Sequence, residues 1–60
     1  MPSRAELSSL ATGLHELVER VVGISDGLST YELDSMGQEL LEVERSLSSA
    51  ERRLGRLLDR

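Results

Sequence analysis

The chain has 60 residues, no cysteine, phenylalanine or tryptophan, one proline, one tyrosine and a formal net charge of −4. At this length it forms one domain and buries only about 60% of its unfolded surface when it folds alone. Lacking cysteine, it has neither disulfides nor thiolate metal sites to compensate, and no apolar run approaches the ~18 residues of a membrane span.

The first residues lack the apolar core of a signal peptide, so a cytoplasmic location is expected, with no membrane association. Charge is divided along the chain. Residues 1–43 carry eight acids against Arg4 and Arg20, whereas residues 44–60 carry Arg45, Arg52, Arg53, Arg56 and Arg60 against three acids.

The first element begins at a capping box, Ser3 followed by Glu6. Leu7, Leu10, Leu14, Leu17, Val21 and Ile24 then recur at alternating spacings of three and four. Ala11 and Val18 widen this stripe, the pattern of a helix packed against more than one neighbour. Gly23 reads as a C-terminal stop, which predicts a helix over about 4–22. Residues 23–29 form the only turn-rich stretch, with Asp26-Gly27 at its centre.

A second capping box, Ser29 with Glu32, opens the next element, and Leu28 with Leu33 makes a hydrophobic staple. Leu33, Met36, Leu40, Val43, Leu47, Ala50, Leu54 and Leu57 keep helical spacing to the end and predict a helix over about 30–58. Two helices joined by a short turn lie antiparallel.

The expected fold is therefore an all-α, antiparallel two-helix hairpin, a single domain over residues 1–60. The predicted helices span roughly 28 and 43 Å, so the second is expected to overhang the first from about Ala50. Leu7, Leu10, Leu14, Leu17 and Val21 are expected to pack against Leu33, Met36, Leu40, Val43 and Leu47, in the hairpin and in an oligomer interface. Two helices cannot enclose a core. The stripes predict completion of a four-helix bundle by homodimerisation, or docking onto a partner's helices. The overhanging Leu54, Leu57 and Leu58, with Arg52, Arg53 and Arg56, are the partner-binding candidates.

Other chemistries find little support. His15 is the only histidine and, beside Glu16 and Glu19, lacks the further histidine or cysteine ligands that a zinc site needs. It reads as a solvated side chain. No serine sits in a nucleophile elbow, and Glu39, Glu42 and Glu44 lie on a helix surface with no pocket to raise a pKa. The five glycines are scattered singly and form no phosphate loop. No catalytic residue, metal or cofactor is expected, and the chain reads as non-enzymatic. Nucleic-acid binding would rest on the C-terminal arginines, but Glu44, Glu51 and Asp59 dilute them and no aromatic residue there can stack on bases. Tyr31 reads as a packing residue near the turn.

The stretch from Leu28 through Ser-Thr-Tyr-Glu-Leu-Asp, with Glu-Leu-Leu-Glu-Val-Glu-Arg-Ser-Leu-Ser and Arg-Arg-Leu-Gly-Arg-Leu-Leu-Asp beyond it, resembles a known hairpin. This is the helical hairpin of the cyclic-di-GMP-responsive anti-sigma factors of sporulating actinobacteria. That family binds the dinucleotide through Glu-x3-Ser-x2-Arg-x3-Gln-x3-Asp on a helix. The matching positions are Glu44, Ser48, Glu51, Gly55 and Asp59, so Glu51 stands where the family has arginine and Gly55 where it has glutamine. The resemblance covers residues 28–60 and implies a hairpin that binds a transcription component. The exchange at Glu51 puts a negative charge where a phosphate or a guanine edge would be held. Taken together, the expectation is a small regulatory interaction module, associating with itself as a dimer or with another protein.

Overall fold

The computed structural model describes residues 2–60. It is an all-α hairpin. Helix α1 spans Arg4–Asp26, and the second arm is built from α2, Thr30–Glu32, a π-helical turn, Leu33–Gly37, and α3, Gln38–Leu58, without a break. Among the described residues there is no strand, and no helix is long and apolar enough to cross a membrane.

Both starts follow from their caps. The Ser29 hydroxyl accepts from the Glu32 amide at 3.2 Å, and the Glu32 carboxylate accepts from the Ser29 amide at 2.9 Å, the full reciprocal box. At Ser3 the hydroxyl accepts from the Glu6 amide at 3.1 Å.

The first helix runs one turn further than its sequence suggested. Gly23 keeps helical geometry inside α1, and the C-cap is Gly27, at φ −93° and ψ 0°, its amide donating to the carbonyls of Ile24 and Ser25. Only Gly27, Leu28 and Ser29 connect the arms. With 23 residues α1 is about 34 Å long. Residues 30–58 run about 43 Å, so the extra turn of α1 takes up only part of the difference in length. The Arg4 guanidinium donates to the Leu58 carbonyl and α1 packs chiefly on α3, so the remaining length lies at the turn end and the expected overhang from Ala50 is absent.

The seam between the arms is a heptad zipper. Its half-buried positions are Leu7, Ala11, Leu14, Val18, Val21 and Ser25 on α1 and, at the same spacing on the second arm, Gly37, Leu40, Glu44, Leu47, Glu51 and Leu58, with Ser48, Ser49 and Gly55 half-buried beside them. Leu54, 8% exposed, is the one buried side chain among the described residues.

The π turn resets the phase where the second arm begins. Continued 3-4 spacing would carry Leu33 into the seam. A π turn holds one extra residue, and here Glu32 is half-buried while Leu33 is exposed.

Candidate functional site

The expected packing rows divide between two places. Leu7, Leu14, Val21, Leu40 and Leu47 lie half-buried in the seam, whereas Leu10, Leu17, Leu33, Met36 and Val43 are exposed. The physical reason is rotation of the second arm about its axis. The seam takes Gly37, Glu44 and Glu51 instead of Met36, Val43 and Ala50, so the apolar row at 36, 43, 50 and 57 turns outward.

That row shares a face with Leu10, Leu17 and Ile24 of α1, which also recur every seven residues. Leu10 is 61% exposed and Ile24 55%. Between the rows lies an open groove floored by Leu14 and Leu54, walled by Leu10, Ala50 and Leu57, and rimmed by Ser46, Ser49 and Arg53. Single exposed leucines are ordinary on protein surfaces, whereas here the exposed apolar residues form rows along both arms.

The accessible surface is 4748 Å², against about 3,900 Å² for a compact monomer of this mass, as expected of an elongated hairpin measuring 45 × 15 × 14 Å.

The other partner-binding candidates have distinct placements. Leu54 and Leu58 belong to the seam, Leu57 belongs to the exposed face, and Arg52, Arg53 and Arg56 are exposed. Arg52 and Arg56 line a shallow depression with Gly55 and Asp59. Tyr31 stands in solvent, 79% exposed, and is not a packing residue.

His15 occupies the edge of the hairpin away from the apolar rows and joins the two arms. Its Nδ1 lies 2.7 Å from Glu51 Oε1 and its Nε2 3.3 Å from Glu19 Oε1. The hydrogen bond and charge of Glu51 raise the imidazole pKa above its ordinary value, with Glu19 adding to the effect. His15 was expected as a solvated residue, and it is indeed exposed. Its bond to Glu51, 36 positions away, was missed, because local spacing carries no information on cross-arm level. Among the described residues no group of three or more His, Asp or Glu side chains could hold a metal ion.

The positions matching the anti-sigma motif form a strip along this same edge. Glu44, Ser48, Glu51 and Gly55 are half-buried and Asp59 is exposed at the C-cap of α3. No family model matches the chain, and no curated protein or solved structure does.

Proposed function

We propose that the chain is a small, non-enzymatic helical interaction module whose exposed apolar face docks against further helices, as in the assembly of a regulatory complex. The observation that carries this reading is the pair of apolar rows, Leu10, Leu17 and Ile24 beside Met36, Val43, Ala50 and Leu57, left uncovered on one side of the hairpin. Helices of this type complete their core by burying such a stripe against a second pair. The resemblance of residues 28–60 to anti-sigma hairpins makes a transcription component one kind of partner to test.

Two substitutions separate the face from the seam. Val43→Glu charges the exposed row, while Leu40→Glu charges the half-buried seam. Loss of association in Val43→Glu, and joint loss of helicity and association in Leu40→Glu, is the expected result. A Val43→Glu variant that associates as strongly as the parent would contradict the proposal.

A further inference from the structure

We propose that the occupant of the apolar face is a second copy of this chain, docked face to face with its turn at the opposite end, so that Glu39 and Glu42 of one copy meet Arg56 and Arg53 of the other. This rests on reading the apolar rows as a docking surface and adds the identity and direction of the partner.

The rows themselves carry the required symmetry. A two-fold axis perpendicular to the hairpin superposes a row on its own reverse, so both arms must be self-complementary about one level. On the second arm the apolar row at 36, 43, 50 and 57 is centred between residues 46 and 47. The charged rim beside it is centred almost identically. Glu39 and Arg56 are equidistant from a point between Leu47 and Ser48, and so are Glu42 and Arg53. On α1 the exposed row is centred on Leu17, with Leu10 and Ile24 seven residues to either side. His15 meets Glu51 and Arg4 meets Leu58 across the seam, so Leu17 lies level with residues 45–49. Three independently placed rows therefore share one mid-level.

The side chains at that level suit a close crossing. Ser46, Ser49 and Ala50 are small and lie where the two second arms would approach each other. Going outward, the charged pairs would fall about 8 Å and 13 Å from the axis. Glu39, Arg53 and Arg56 have no ion-pair partner within the hairpin among the described residues, and Glu42 makes only an exposed contact of 3.4 Å to Arg45. The rim is thus acidic toward the turn and basic toward the chain ends, a gradient that an antiparallel copy matches and that sets partner direction.

The test is charge reversal with mixing. One variant carries Glu39→Arg and Glu42→Arg, the other Arg53→Glu and Arg56→Glu; circular dichroism at high concentration confirms that both exposed sets leave the hairpin folded. The parent is expected at twice its monomer mass by light scattering. Each variant alone, with like charges facing across the axis, should show a dissociation constant roughly a hundredfold higher. An equimolar mixture should restore a dimer near the parent affinity, because every facing pair is again opposite in sign. A parent dimer that the variants leave unchanged overturns the proposal, because copies running in the same direction already set like charges opposite each other in the parent. Weakened variants that mixing does not restore also overturn it, because the two rims then do not face each other across the interface. A parent that stays monomeric at millimolar concentration overturns the second copy outright. Binding of an apolar dye to that monomer, lost in Val43→Glu, would then show that the face still acts as a docking surface, and no dye binding would remove that reading too.

Discussion

Replacement of Leu54 by alanine tests the internal packing most sharply, because it is the one side chain among the described residues that the hairpin buries by itself. The substitution removes three carbons from a site only 8% exposed. At about 0.8 kcal/mol per buried carbon the transfer term is roughly 2 kcal/mol. The cavity term is small, since the site adjoins an open groove that water and neighbouring side chains can fill, which keeps the cost near the lower end of the ~2–5 kcal/mol range for leucine-to-alanine changes. For a domain of this size, that corresponds to a fall in Tm of about 8–16 °C. Leu57, one position along the chain from the seam residue Leu58 and 45% exposed, should cost about half as much. The assay is thermal unfolding followed by circular dichroism, at a concentration where light scattering gives the monomer mass, so that lost packing within the hairpin is not confused with lost association. Equal shifts for Leu54→Ala and Leu57→Ala, or a larger one for Leu57→Ala, would refute the assignment of these residues to seam and outer face.

Three further outcomes are expected. Because Glu51 raises the folded-state pKa of His15, its contribution to stability is fully present below the ordinary histidine value near 6.5 and is lost as pH rises through the folded value; parent melts should show this loss and His15→Ala melts should not. Ser29→Ala removes the hydroxyl half of the second capping box and should cost about 1 kcal/mol; the Glu32 carboxyl, held below its ordinary pKa first by the Ser29 backbone amide and then by its hydroxyl, should rise only in part, as read by NMR titration. Calorimetric titration with cyclic-di-GMP should give no heat, since Glu51 places a carboxylate where the resembling family has arginine and is already engaged by His15; measurable heat would show that the strip from Glu44 to Asp59 accepts the dinucleotide regardless.

Local signals in this sequence translate directly into structure, and long-range ones do not. Ser29 and Glu32 announce the second helix because the cap involves residues three apart, and both bonds form as the spacing implies. Gly23 misleads for an equally local reason. A glycine can end a helix or sit inside one, and here the apolar and polar positions up to Asp26 carry the helix past it, with Gly27 taking the capping role. The added turn, with the surplus length of the second arm lying at the turn end, brings Leu54 and Leu58 from an expected free end into the seam. The larger misreading concerns phase. Leu10, Leu17, Met36 and Val43 are as apolar as Leu14 and Leu47, and spacing alone cannot say which of two adjacent rows meets the neighbouring arm. The half-buried Glu44 and Glu51 settle that choice only once the arms are placed together, and the π turn at Leu33–Gly37 shifts the phase again between α2 and α3. The same two glutamates explain why the outer face stays apolar: polar residues in the seam leave Val43 and Met36 on the outside.

The central claim, that the outer face is completed by other helices and first of all by a second copy, is tested most directly by absolute mass from light scattering over a dilution series, with helicity followed on the same samples. The expected result is twice the monomer mass at high concentration, falling to the monomer on dilution, with the loss of mass brought to higher concentration by Val43→Glu. A parent chain that remains a fully helical monomer across the whole range, with its mass and melting temperature untouched by Val43→Glu, would contradict it.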